Sequence, residues 1–255
     1  MKLSFATQGN GQNVMMLHGW ACDSQDWDSQ VEFFSARYRV VTLDLRGHGL
    51  SEVPKTHYTP LDFASDVEEL ILCNFPGESF ILIGHSMGGQ IATIIADRRP
   101  DLVKAVVCVD GTLGLPSVLD LPNRLLVALM YGFNPHVIGS ALLKRLYGPE
   151  ASAGLINDHA IRLKSTPSYV LRQSFKSLFL GPSQVSTGKN SEQLCRRLKV
   201  PLYGIYCSNH RVTRMSNWFS HPKSKLEAWP GTGHWIMIDR PGQFNNAVSA
   251  WIDFL

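Results

Sequence analysis

The 255-residue chain has five cysteines and no CxxC pair. Cys22, Cys73, Cys108, Cys195 and Cys207 also lack the Cys/His spacing of a zinc site, and an odd count favours free thiols over a disulfide framework. No stretch approaches the roughly 18 uninterrupted apolar residues of a membrane span. The opening MKLSFATQGNGQNVMMLHGW holds only a short apolar run and no small-residue cleavage site. There is no internal repeat and no low-complexity segment. No metal or nucleotide motif is found, so no metal and no cofactor are expected. Charged residues are 18% of the chain, and the net charge of +3 is spread along it, which argues against nucleic acid as a partner. The expectation is a folded cytoplasmic protein acting on a small molecule, as a monomer or homodimer. A chain of this length, 44% hydrophobic, can bury one full core.

Short apolar runs alternate with amphipathic stretches, the rhythm of βα units. NVMML (13–17), YRVVTL (38–43), FILIG (80–84) and AVVCV (105–109) read as strands. Such continuous apolar runs suit parallel strands covered on both faces. Thr59-Pro60-Leu61-Asp62 reads as a helix start, with Thr59 as cap, Pro60 in the first turn and Asp62 reaching back, for a helix to about Cys73. A second helix is expected from Gly88 to Arg98. From about Leu113 to Gln184 the strand rhythm stops, and helical patterns stand between Pro and Gly residues. It resumes at LYGIYC (202–207) and SKLEAW (224–229), before a closing helix from Pro241 to Leu255. The expected organisation is an α/β core of residues 1–112 and 185–255, with a helical cap at 113–184 over one end of a mostly parallel sheet.

Gly84-His85-Ser86-Met87-Gly88-Gly89 lies between a strand and a helix, the context of a GxSxG nucleophile elbow. Gly84 and Gly88 let strand and helix crowd together, so that Ser86 is presented at a helix N-terminus. MLHGW, DLRGHGLS, IGHSMGG and GTGHW follow in that order, and in this the chain resembles the α/β-hydrolase superfamily along essentially its whole length. The resemblance implies a central, mostly parallel sheet with a helical cap. It also implies an oxyanion hole made by the backbone N–H groups of Met87 and Trp20, since acyl transfer needs two donors at the developing charge. The Trp20 side chain is either a wall of the acyl pocket or a plain core aromatic.

Among nine histidines, His234 in PGTGHW follows a strand and precedes the last helix, with Gly231 and Gly233 freeing the loop to turn its ring inward. The resemblance places the family's catalytic histidine there, where a neutral imidazole can take the Ser86 proton and later return it. His18 and His85 flank the site as structural or pocket-lining residues. His48 reads as loop packing, and His57, His136, His159 and His221 as surface.

The strand end after LYGIYC, where most of the superfamily carries the triad acid, offers Ser208, Asn209, His210 and Arg211 instead. No carboxylate stands there. The preceding strand AVVCV ends in Asp110 and should neighbour the nucleophile strand. Lipases and dehalogenases among the superfamily resemble this arrangement. Asp44, Glu227 and Asp239 are worse placed; a turn aspartate before Gly111 is the plain alternative for Asp110. The expected triad is Ser86, Asp110 and His234, with His210 and Arg211 left to line the pocket or the surface.

Serine at the elbow argues against epoxide hydrolases and haloalkane dehalogenases, which attack with aspartate. The leading expectation is a small carboxylesterase that cleaves an apolar ester, lactone or thioester through an acyl-enzyme. Two alternatives stand beside it. One is a cofactor-free dioxygenase of 3-hydroxy-4-quinolones, which resembles the chain in HGW and RGHGLS but has a second histidine where this chain has Met87. The other is a non-catalytic small-ligand sensor. His18, Trp20, His85, Leu113, Tyr131, His210 and Trp235 are the expected substrate-binding residues. Leu115, Leu125, Leu126, Leu129, Met130, Phe133, Phe175 and Phe179 of the cap either wall an apolar pocket or pack cap onto core.

Overall fold

The computed structural model describes residues 1–181 and 183–255. The N-terminal half holds β1 (Phe5–Gln8), β2 (Gln12–Leu17), α1 (Asp28–Phe34), β3 (Tyr38–Leu43), α2 (Pro60–Asn74), β4 (Phe80–His85), α3 (Met87–Arg98) and β5 (Val103–Val109). Four helices follow without an intervening strand: α4 (Asp120–Gly132), α5 (Pro135–Lys144), α6 (Ala153–Ser165) and α7 (Ser168–Phe179). The chain closes with α8 (Gly188–Arg197), β6 (Leu202–Tyr206), α9 (Asn209–Met215), β7 (Lys225–Ala228), α10 (Ile236–Asp239) and α11 (Pro241–Asp253).

The strands form one sheet in the order β1-β3-β2-β4-β5-β6-β7, parallel except for β1. This is the mostly parallel, helix-flanked sheet expected. β4 and β5 are buried along nearly their whole length, as continuous Val/Ile/Leu runs require when helices cover both faces. At α2 the capping box is complete: Thr59 Oγ1 accepts from the Asp62 N–H, and the Thr59 N–H donates to Asp62 Oδ2 at 2.8 Å.

Register decides what meets at the sheet edge. Leu17 pairs with Gly84, and His85 with Val109. The residues just past these strands are Gly19-Trp20, Ser86 and Asp110, so three separate chain segments deliver them to one edge. β1 was missed because it is exposed throughout and carries no apolar run. Just past β6 the chain turns into α9, a helix not expected there, with Ser208 as its cap accepting from the His210 N–H. No helix among the described residues is long and apolar enough to cross a membrane.

Candidate active site

The strand-to-helix turn sets Ser86 at φ 52° and ψ −112°, a conformation few side-chain-bearing residues hold. The Ser86 N–H donates to Val109 on the neighbouring strand at 2.9 Å, and the Ser86 carbonyl accepts from Gln90 and Thr112, which fixes the turn from three sides. Gly84 and Gly88 face each other here: a Cβ on Gly84 would run into the Gly88 carbonyl, and one on Gly88 into the carbonyls of Leu17 and His18. The elbow therefore needs both glycines for backbone contact rather than for flexibility.

Met87 is the first residue of α3, where helix geometry leaves the N–H without an intrahelical acceptor. The Trp20 N–H makes no backbone hydrogen bond among the described residues. The Trp20 ring is buried, edge-on to Phe175 at 5.2 Å, and its Nε1–H donates to Ser174 Oγ at 3.0 Å, so α7 holds the indole against the site.

His234 Nδ1 donates to Asp110 Oδ2 at 2.5 Å. The His234 loop is held from two directions. Its backbone N–H donates to the Leu146 carbonyl at 2.8 Å, and its carbonyl accepts from His85 Nε2 at 3.0 Å. Burial, and then the nearby His234, push His85 down to about 3, so His85 is a neutral donor that steers the loop.

Asp110 is buried at φ 41°, with its N–H on Ile205 of β6 at 2.7 Å. Burial alone would push its carboxyl up. The Arg211 guanidinium and the His234 ring outweigh that and hold it well below the usual carboxylate range. Arg211 donates to Asp110 Oδ1 and to the Gly111 carbonyl, and was not foreseen as a partner of Asp110.

Ser86, Asp110, His234, Trp20, His85 and Trp235 line one cavity of about 310 Å³. Its remaining wall is mostly apolar and comes from the helical segment between β5 and β6, including Leu126, Leu142, Leu146, Phe175 and Phe179. Leu115 also lines it. Thr112 and Asn123 add a hydroxyl and a carboxamide whose buried Oγ1 and Nδ2 have no hydrogen-bond partner among the described residues.

Four residues expected at the pocket lie elsewhere. The His18 ring is spent on structure, donating from Nδ1 to the Gly19 carbonyl and accepting at Nε2 from the Leu45 N–H, with His48 5.3 Å away. Leu113 is wholly buried in the core and off the cavity wall. Tyr131 is half exposed and carries Lys176 over its ring at 5.9 Å. His210 is exposed in the first turn of α9. Of the other cap residues considered, Leu125 and Phe133 point to solvent, while Met130 is buried away from the cavity.

His159, expected at the surface, is completely buried. Its Nε2 donates to Asp26 at 3.1 Å and its Nδ1 accepts from the Tyr147 hydroxyl at 3.1 Å. Its place four residues before Leu163 on a buried helix face was the one available hint. Cys22, Asp26 and His159 bring three possible ligand atoms within 4.8 Å of one another. The group does not suit a cation: Arg162 already donates to Asp26, and burial keeps the Cys22 thiol well above its ordinary range.

Residues 12–146 match the family model described as alpha/beta hydrolase fold. Over 253 residues the chain is 40% identical to the pimeloyl-(acyl-carrier protein) methyl ester esterase of Nitrosomonas europaea, covering 96% of this chain and 97% of that one. Among solved structures, an enol-lactonase from Burkholderia xenovorans superimposes with a TM-score of 0.83 at 17% identity, over 98% of this chain and 96% of the lactonase. An esterase from Exiguobacterium antarcticum gives 0.84 at 19% identity, over 98% and 95%. At such identities these two likenesses speak for the fold alone.

Proposed function

This chain belongs to the alpha/beta hydrolase fold family, and from that premise we propose that it is a serine ester hydrolase working through an acyl-enzyme. The observation that carries this is the His234–Asp110 hydrogen bond at 2.5 Å on the wall of the cavity that also holds the strained Ser86. In this reading Ser86 Oγ attacks the acyl carbon while His234 Nε2 takes its proton. Asp110 keeps the imidazole in the Nδ1–H tautomer and offsets the imidazolium charge. The Met87 and Trp20 N–H groups stabilise the oxyanion. Collapse expels the alcohol, which receives the proton from His234. Water, activated by the same ring, then releases the acid.

Residues 113–184 act as the cap and 1–112 with 185–255 as the core. The apolar cap wall fits an aliphatic acyl chain, and a cavity of about 310 Å³ suits a small ester. The likeness to the Nitrosomonas esterase supports a methyl ester of a carrier-bound acyl group as the substrate to try first. The test is turnover of short p-nitrophenyl esters and of acyl methyl esters, wild type against Ser86→Ala. Loss of turnover and of fluorophosphonate labelling in the variant is expected; equal activity in both ends the proposal. Oxygen uptake on a 3-hydroxy-4-quinolone would favour the oxygenase alternative, and none is expected.

A further inference from the structure

Arg211 comes from the β6 end that lacks a carboxylate. Its side chain is only 14% exposed and it also lines the cavity. One terminal nitrogen donates to Asp110 Oδ1, the other to the Gly111 carbonyl at 2.5 Å, and the plane sits 4.7 Å from the centre of the Tyr206 ring. The Cys207 N–H adds a long bond to Oδ1 at 3.4 Å, while Oδ2 takes the short bond from His234 at 2.5 Å and a long one from the Cys207 thiol at 3.5 Å.

We propose that Arg211 is a positioning residue for the reaction. From the strand end where the superfamily usually carries the acid, it supplies a fixed cation that keeps the relocated Asp110 ionised and turns Oδ2 toward His234. This rests on the acyl-enzyme reading above.

A carboxylate at this depth, left alone, would take up a proton rather than stay charged. A protonated Asp110 would still sit beside the ring, yet it would no longer offset an imidazolium. The groups facing it are few: Arg211 and Cys207 from the β6 end, His234 from the loop after β7, and His85 from β4. His85 is neutral, as argued above. Burial, reinforced by Asp110 itself, pushes the Cys207 thiol up to about 11, so it stays protonated. Arg211 is therefore the permanent positive charge on this carboxylate. The fork also fixes orientation. By spanning Oδ1 and the Gly111 carbonyl it pins both the side chain and the backbone of the acid's own turn, which a lysine's single point charge does not reproduce.

The experiment is the pH profile of kcat/KM, normalised to sites labelled by a fluorophosphonate, for the wild type, Arg211→Met, Arg211→Lys and the double variant Asp110→Asn/Arg211→Met. In Arg211→Met the acid limb should move up by about one to three pH units. Its kcat at neutral pH should fall by about 10²-fold while KM holds within about twofold. Arg211→Lys should restore the limb but only part of kcat, because it returns charge without the fork. The double variant should be no slower than Asp110→Asn alone, since the arginine acts through the aspartate. A merely structural arginine would lower the labelled fraction and the melting temperature and leave the per-site limb in place; that result overturns the proposal. Should Arg211→Met fail to fold, Arg211→Lys and the double variant, which removes both buried charges, decide it by the same criteria. Full activity in Asp110→Asn would instead sink the acyl-enzyme assignment of Asp110, a separate failure.

Discussion

Two buried aspartates in this chain each hold one arginine and one histidine. Asp110 lies between Arg211 and His234; Asp26, in the short 3-10 turn after β2, lies between Arg162 and His159. Both histidines donate to the carboxylate, and both arginines keep 14% of their side-chain surface. The clusters part at the histidine. His234 retains 13% exposure and lines the cavity; His159 has none, lies tilted against Trp235 with ring centres 4.5 Å apart, and accepts at its second nitrogen from Tyr147. Trp235 also donates to Asp26, so the second cluster ties α6 to the 3-10 turn and to the residue after His234. The same three side-chain types thus make a cavity-lining pair in one place and a buried strut in the other. Access to a strained serine separates them, not the strength of the pairing.

The sharpest way to break that contrast is to neutralise each aspartate in turn. Asp110→Asn should lower kcat by something on the order of 10⁴-fold while a cooperative melting transition persists, because the asparagine keeps the shape but favours the wrong imidazole tautomer. Steady-state turnover on a p-nitrophenyl ester, with calorimetry on the same sample, checks both halves. A loss below about tenfold would leave Asp110 as a turn residue.

Asp26→Ala should invert the pattern. It removes one carboxylate from the Arg162 guanidinium, which keeps Asp23 at 3.0 Å and Gln25 at 3.0 Å, so the cost should reach at most the about 3–5 kcal/mol of a fully uncompensated buried charge. Turnover per labelled site should stay within about tenfold of wild type, since the His234 loop keeps its bonds to Leu146 and His85. Denaturant unfolding and active-site titration give the two numbers. Equal collapse of per-site kcat in the Asp26 and Asp110 variants would show that the clusters work as one.

Acid should weaken the strut in a calculable direction. Burial alone would push Asp26 up, but His159 and then Arg162 hold it at about 2 against an ordinary value of 3.8. A folded value below the unfolded one means that the stabilisation is fully present above about pH 4 and is lost as pH falls toward 2. That difference is worth about 2 kcal/mol. Asp110 shifts in the same direction and adds to the slope. Unfolding free energy measured from pH 5 to 2 should decline less steeply in Asp26→Asn than in wild type; identical slopes would remove Asp26 from the acid response.

What could be read in advance divides along the same line. Ser86 and Asp110 sit at strand ends and His234 in the glycine-bearing loop after β7, and topology brings these segments to one edge. That the Asp110 strand neighbours the Ser86 strand followed from the rhythm of βα units, and β1 escaped because its side chains are all solvated. The Asp26 cluster was invisible for a different reason. Its members are 133 residues apart in sequence, and nothing local marks a surface-like aspartate and a mid-helix histidine as buried partners. Arg211 was placed in the right neighbourhood, but its pairing depends on the turn of α9, a helix not expected there. The cavity wall was half legible: an amphipathic helix tells that one face is covered, not whether core or cavity covers it. Leu126 and Phe175 face the cavity, whereas Leu113 and Met130 vanish into the core.

The smallest effect is expected at His210, at the strand end that carries no acid. His210 occupies the place where an aspartate is usual, one residue before the arginine that grips Asp110. Yet it is exposed, lies off the cavity wall, and bonds through its backbone N–H to the Ser208 cap. In α9, successive residues point about 100° apart, so Arg211 turns inward as His210 turns out. His210→Ala removes a solvated ring and leaves the cap, the arginine fork and the Asp110 pair in place. Surface changes of this kind stay within about 0.5 kcal/mol, and kcat should remain within about twofold of wild type. A loss in turnover comparable to that of Asp110→Asn, measured on the same ester at the same pH, would return the acid's role to the β6 end and undo the assignment of Asp110.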